Sequence, residues 1–253
     1  MKNKLYPMGL IALAALLATG CEKSSSGSLT TSERQQAFES PMVTAKASKR
    51  SFDQEPIANT TPPGSKMDPS SNVYIVFDGS GSMTGQSIEE AKSAVAAFIA
   101  GAPDNLNIGL FVFDANSSDG REVVALGRGD TQRKQLATEI SQINAGGGTP
   151  LGAAIQTGTK ALIAQFQKQL RYGDVRLVVV TDGRASDQGM FNKSITFARD
   201  YHVPIYTIGF HIKSAHPLRQ YSEAYFSAND EQELLGAMKE TLAELDDSAA
   251  GDL

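Results

Sequence analysis

The chain reads as an α/β protein: a doubly wound, mostly parallel central sheet with helices on both faces. Three observations predict this. From residue 72 to about residue 245, short β-branched apolar runs alternate with stretches of helical period. Two of those runs, Val73-Tyr-Ile-Val-Phe77 and Val175-Arg-Leu-Val-Val-Val-Thr181, are nearly continuous, as strands covered on both sides must be. Each gives way to aspartate and glycine, Asp78-Gly79 and Asp182-Gly183, a turn signal at the carboxyl edge of such a sheet.

The first strand is followed by a glycine-rich loop and then by a helix. Ser87 and Glu90 have the spacing of a capping box. Ile88, Ala91, Val95, Phe98 and Ile99 share one face, and the helix is expected to stop near Gly101, before Pro103. Residues 107–114 form a second strand and 122–126 a third, joined through a Ser-Asp-Gly turn that suits an antiparallel hairpin. Asp130 is expected to cap the next helix. Thr149 before Pro150 has the pattern of an N-cap followed by the first helical residue, with Leu151, Ile155, Leu162 and Phe166 on the apolar face beyond. After the strand at 175–181, Phe191, Ile195, Ala198 and Tyr201 line another helix. A strand at 203–210 and a short one at 224–226 follow. Asn229 is then expected to cap a closing helix that carries Leu234, Leu235, Met238, Leu242 and Leu245 on one side.

Ahead of this region the texture differs. The chain has 253 residues, 41% of them hydrophobic and 20% charged, enough for one globular domain with extensions. Residues 1–20 read as a secretory signal, with Lys2 and Lys4 ahead of an apolar stretch from Met8 to Leu17 that is too short to span a bilayer. Cys21 is the only cysteine, so no intramolecular disulfide can form. Leu17-Ala-Thr-Gly-Cys21 resembles the lipobox of bacterial lipoproteins, which implies a lipid-modified Cys21 as first mature residue and a place in the cell envelope. Several acyl chains on it would anchor the protein stably. Glu22, standing where the inner-membrane retention signal of that class has aspartate, favours the outer membrane over the inner.

Residues 21–71 are rich in Ser, Thr, Pro, Lys and Gln without usable periodicity and read as a flexible tether, with a root-mean-square span of about 35 to 40 Å. Residues 246–253, with Asp246 and Asp247, read as a solvated acidic tail. Without its signal the chain keeps 21 basic against 28 acidic residues. That balance argues against nucleic acid and anionic membrane surfaces as partners.

Asp78-Gly-Ser-Gly-Ser82, Thr149 after Gly-Gly-Gly, and Asp182 lie at ends of predicted strands or loops that the fold can bring together. All their side-chain donors are hard oxygens. They suit magnesium first, with manganese or calcium as alternatives, whereas zinc or copper would call for histidine or cysteine. Taken singly, Asp78 reads as a turn or capping residue and the serines as loop formers. Together the three pieces resemble the von Willebrand factor type A domain, whose metal-ion-dependent adhesion site uses these five positions. The resemblance covers residues 72–245. It implies one antiparallel edge strand, a site at the carboxyl ends of the strands, and no enzymatic activity. It also implies that Ser80 and Ser82 bind the ion directly, Thr149 directly or through water, and Asp78 and Asp182 largely through waters or hydrogen bonds. The open coordination position would take an Asp or Glu carboxylate from a protein partner. A related expectation is that the last helix shifts with ligand.

The expected function is thus a lipid-anchored binding module; the alternative is an envelope scaffold in which the metal only stiffens the loops. Enzyme readings are poor. Neither serine stands in a Gly-x-Ser-x-Gly turn, Ser80 occupies the place of the second aspartate of haloacid dehalogenase-like phosphotransferases, and Gly79-Ser-Gly81 lacks the lysine of a P-loop. His202, His211 and His216 lack metal-like spacing and read as surface or turn residues. Arg128-Gly129-Asp130 resembles integrin-recognition ligands, but a glycine turn and a helix cap explain it.

Overall fold

The structure, a computed structural model, describes residues 57–58, 60–212 and 215–249. The chain divides into units of residues 1–57 and 58–253, and the fold below belongs to the second. The signal segment 1–20, Cys21 and most of the tether lie outside the described residues.

Strand β1 (Asn72–Asp78) leads through a short 3-10 turn at Gly81–Met83 into helix α1 (Gln86–Gly101). Then come β2 (Asn107–Asp114), β3 (Ser117–Gly127), α2 (Asp130–Ser141), α3 (Leu151–Lys168) and β4 (Val175–Thr181). The chain continues with α4 (Gln188–Asp200), β5 (Ile205–Phe210), a 3-10 turn at Pro217–Gln220, β6 (Ala224–Ala228) and α5 (Glu231–Ala249). The six strands lie in the order β3-β2-β1-β4-β5-β6. Every pairing is parallel except β2 with β3. The expected doubly wound sheet with one antiparallel edge strand is what forms.

Strand order reverses direction between β1 and β4, and in open α/β sheets that switch point opens a crevice at the carboxyl ends. Register sets what lines it. Phe77 pairs with Val180 across β1 and β4, so Asp78 and Thr181 emerge side by side at the upper edge. All five apolar residues of β1 are fully buried. Val73, Ile75 and Phe77 belong to the core closed by α1, α2 and α5. Tyr74 faces the other way, toward Gly158 of α3, where an added methyl carbon would lie 2.8 Å from the ring. Each such side chain contributes about 1.5–3 kcal/mol of burial, so the strands that aim the site are among the most strongly held parts of the domain.

Element boundaries differ from expectation in instructive ways. Gly85 and Gly129, with φ of 92° and 91°, start α1 and α2, because a left-handed residue turns the chain into the helix and leaves no role for a side-chain cap. Ser87 and Glu90 therefore form no capping box, and Asp130 is the first residue of α2 rather than its cap. Glu90 accepts instead from Gln86 Nε2 at 2.5 Å. The cap of α5 is Asp230, whose Oδ1 accepts from Glu233 N at 2.9 Å; Glu233 reaches back to Asn229 N at 2.8 Å. Strand β3 starts at Ser117, so the expected Ser-Asp-Gly turn is strand, interrupted by register shifts, and the turn is Ala115-Asn116. Strand β5 starts at Ile205, after a proline that cannot donate to the ladder. Helix α5 runs to Ala249, through Asp246 and Asp247.

Residues 66–71, grouped with the tether by composition, are tied to the foot of the domain. Lys66 N donates to Lys168 O at 3.1 Å and Gln169 Nε2 to Ser70 O at 2.7 Å. Arg128 clasps both carboxylate oxygens of Asp68 at 3.3 and 3.1 Å. The Ser70 hydroxyl and amide together with Arg128 hold the Asp68 carboxyl down at about 2.

Candidate metal centre

Asp78 ends β1 with no exposed surface. Its Oδ1 accepts from Ser80 N at 2.9 Å and its Oδ2 from the Thr181 hydroxyl at 2.5 Å. Both oxygens are thus used to shape the loop that carries the serines. Burial raises its pKa to about 6 against the opposing hydrogen bonds of Ser80 and Thr181, and the nearby Asp182 charge pushes the same way.

Ser82 Oγ donates to Asp182 Oδ1 at 2.7 Å and lies 3.1 Å from Ser80 Oγ. Since the single Ser82 proton goes to Asp182, Ser80 is the donor in that second contact. The relay Ser80 to Ser82 to Asp182 commits the hydroxyl protons to protein and leaves oxygen lone pairs for an electrophile. Burial raises the Asp182 pKa, with the Ser82 hydroxyl opposing. Across the crevice, a methyl placed on Gly183 would stand 3.7 Å from Thr149 Oγ1 and 3.9 Å from Ser82 Oγ. Loops from three parts of the chain therefore bring Asp78, Ser80, Ser82, Thr149 and Asp182 to one place.

Peptide hydrogen bonds zip two of those loops together. Gly146 N donates to Gly79 O at 2.9 Å and Gly81 N to Gly147 O at 3.2 Å. The β2–β3 turn packs behind them: Ala115 N donates to Asn144 O at 2.9 Å, and a side chain on Gly146 would meet Ala115 Cβ at 2.8 Å. Asp114, fully buried and paired with Arg121 at 2.7 Å, fixes that turn by accepting from Asn116 N at 3.0 Å. The Arg121 guanidinium and the Asn116 bonds keep its carboxyl below the usual range despite burial.

Thr149 is not an N-cap. Helix α3 begins at Leu151 with Pro150 preceding it, and the Thr149 carbonyl accepts from both Leu151 N and Ser186 N at 2.8 Å. The residue stands one place outside the helix because its carbonyl turns back to those two amides, which frees its hydroxyl to face the crevice.

Of the expectation of a surface or turn residue, His216 keeps the turn, at the start of Pro217–Gln220, but is buried. It is 5% exposed, its Nδ1 accepts from Leu218 N at 3.2 Å, and its Nε2 therefore carries the proton it donates to Gly183 O at 2.6 Å. Burial lowers its pKa, so the ring is neutral at pH 7. It props the Asp182-Gly183 turn from behind. His211 lies 3.5 Å from Glu90 Oε2, and His202 is exposed at the opposite end of the sheet. Arg128 of the Arg-Gly-Asp tripeptide is engaged by Asp68.

The donor set fits a hard cation. Burial makes Asp78 and Asp182 both resist ionisation, and among the described residues His211 pulls the Asp182 carboxyl the other way. Among the described residues no three His, Cys, Asp or Glu side chains cluster, so a cation here would draw on hydroxyls and water as well as carboxylates.

The family model for the von Willebrand factor type A domain matches residues 72–243. In sequence the chain is similar to the uncharacterized protein sll0103 of Synechocystis, 27% identical over 139 residues; the match takes in 55% of this chain and 32% of that protein. In structure it is similar to a von Willebrand factor type A protein from Catenulispora acidiphila, with TM-score 0.58 and 18% identity over 69% of this chain and 42% of that one. It also resembles the manganese-loaded TRAP protein of Plasmodium vivax, with TM-score 0.52 and 20% identity, covering 70% of this chain and 75% of that one. The Mfa5 type V pili tip domain of Porphyromonas gingivalis gives TM-score 0.53 and 12% identity over 74% and 99%. The chain spans about a third of the Synechocystis protein and under half of the Catenulispora chain. A family model that covers the whole sheet and reaches into the last helix, on a sheet whose crevice holds the five oxygen side chains, makes this chain a member of the von Willebrand factor type A domain family.

Proposed function

We propose that this domain is a binding module that captures an acidic side chain of a protein partner through a divalent cation, with no catalytic role. The observation that carries the reading is the Ser80 to Ser82 to Asp182 relay, which leaves hydroxyl lone pairs near Thr149 beside two carboxylates whose pKa burial raises. Ser80, Ser82 and Thr149 would hold the ion, magnesium first and manganese or calcium as alternatives, while Asp78 and Asp182 orient and balance it. A cation bound there supplies positive charge and a coordination position for the partner's carboxylate. Neutral hydroxyls next to the ion leave it electron-poor enough to want that ligand. The manganese-loaded TRAP protein and the pili tip domain Mfa5 support the reading as proteins of the same fold.

The scaffold alternative, in which the metal only stiffens the loops, is the weaker one, because two of the three loops are already joined by Gly146 N to Gly79 O and Gly81 N to Gly147 O. We place the module in the cell envelope, held by a lipidated Cys21 and its tether, the outer membrane before the inner. Among the described residues no helix is long and apolar enough to cross a membrane. The test is partner capture from envelope extract with magnesium, with chelator, and with Asp182→Ala. Capture lost in both controls supports a metal-bridged contact; equal recovery in all three would sink it.

A further inference from the structure

Asp187 is the last residue before α4, where an aspartate ordinarily accepts from the first amides of its own helix. Here its side chain makes no bond to α4. It turns instead to α3: Oδ1 accepts from Gly152 N at 3.0 Å and Oδ2 from Ala153 N at 2.9 Å. Those amides are orphan donors of the first turn of α3, and the carboxylate also meets the positive end of the helix dipole. The neighbouring Ser186 N donates to the Thr149 carbonyl at 2.8 Å. Two successive residues of the loop that begins at Asp182 therefore hold the segment that presents Thr149.

The packing admits little else. A side chain on Gly152 would collide with Phe191 N and stand 2.7 Å from Asp187 Oδ2, so the helix start lies flush against the head of α4. Behind the same loop, His216 holds Gly183 O. The loop is thereby fixed at two places after Asp182: by His216 at residue 183, and by Ser186 and Asp187 on Thr149 and the first turn of α3.

We infer that Asp187 is a positioning residue of the metal centre, its carboxylate setting the spacing between Thr149 and Asp182 by tying their two loops together. The inference rests on the metal-binding reading. Residues that orient metal ligands without touching the ion commonly change affinity ten- to a hundredfold when removed, and two bonds to a helix start place Asp187 in that range. Asp187→Asn keeps one oxygen that accepts, so it should lose less than Asp187→Ala.

The test is titration of the full chain with Mn2+, read by the electron paramagnetic resonance of the free ion, alongside amide hydrogen exchange without metal. Faster exchange at Gly152 and Ala153, with Mn2+ binding weakened about tenfold in Asp187→Ala and less in Asp187→Asn, supports the inference. If Asp187→Ala does not fold, weakened Mn2+ binding in a folded Asp187→Asn supports the inference and unchanged binding there overturns it. Faster exchange with unchanged affinity in a folded variant makes Asp187 a cap of α3 only and overturns the inference, while leaving the metal reading intact. Failure of the unaltered chain to bind Mn2+ overturns both.

Discussion

Replacing His216 with phenylalanine tests how the Asp182 turn is held. The ring is 5% exposed and makes two hydrogen bonds, one donated to Gly183 O at 2.6 Å and one accepted from Leu218 N at 3.2 Å. Phenylalanine keeps most of the volume and loses both bonds. An unsatisfied buried group costs about 1–3 kcal/mol, and Gly183 itself is only partly buried, so we expect a loss of about 2–4 kcal/mol for the pair. Urea unfolding of the metal-free chain measures it. The same variant should alter the pH profile. Burial lowers the His216 pKa from its ordinary 6.5, so the unfolded chain binds this proton more readily than the folded one. This residue's share of stability is present above pH 6.5 and is lost as pH falls from there through the folded value; that component should vanish in His216→Phe. A loss below about 1 kcal/mol, with an unchanged pH profile, would refute the reasoning, since two isolated bonds of ordinary net worth already exceed it.

Three further outcomes follow from particular contacts. Gly152→Ala should destabilise the domain by about 1–3 kcal/mol, because the methyl meets Phe191 N and the Asp187 carboxylate; thermal unfolding checks it. In metal-free protein the Asp78 carboxyl is raised from 3.8 to about 6, so its favourable share is complete below pH 3.8 and is lost as pH rises through 6. Magnesium should recover stability at pH 7, and Asp78→Asn should reduce the pH-dependent loss, the raised Asp182 carboxyl keeping a share of it; unfolding midpoints from pH 4 to 7 with and without magnesium decide this. Asp68→Ala should release residues 66–71 from Arg128 and speed proteolysis there. Because the Asp68 carboxyl is held at about 2, acid should do the same as pH falls from 3.8 through 2.

Much of the site is legible in the sequence because its chemistry sits at strand ends. Asp78 and Asp182 follow the two most continuous apolar runs, and parallel register places Asp78 beside Thr181, with Asp182 the next residue along. Helix starts lie a residue or two away from where Ser87, Asp130, Thr149 and Asn229 would put them. At α1 and α2 the reason is that a glycine of positive φ begins the helix, a conformational choice that a polar neighbour can imitate in sequence. Asp187 looks like a cap for the helix that follows it, yet the amides it satisfies lie 35 and 34 residues earlier. Such a partner is chosen by packing at Gly152 and leaves no local trace. His216 stands in a loop without periodicity, and only the return of that loop beneath Gly183 gives it a role.

The three loops are not held alike, and the difference bears on how the centre could respond to a ligand. The Asp78 loop and the Thr149 loop are joined backbone to backbone, through Gly79, Gly81, Gly146 and Gly147, so their spacing is set by peptide geometry. The Asp182 loop meets them through one peptide hydrogen bond, Ser186 N to Thr149 O, and otherwise through side chains: Thr181 on Asp78, Ser82 on Asp182, and Asp187 on α3. Of these, the Ser82 hydroxyl also faces the crevice, and a cation drawing on its lone pair strengthens the proton it donates to Asp182. Metal binding should therefore tighten the one joint that links the serine loop to the Asp182 carboxylate. Since His216 couples the same loop to the β5–β6 connection, that tightening has a physical route to the far side of β4. Protection of the Leu218 amide in hydrogen exchange should rise with Mn2+ and fail to rise in Ser82→Ala; equal protection in both would confine the effect of the metal to the crevice.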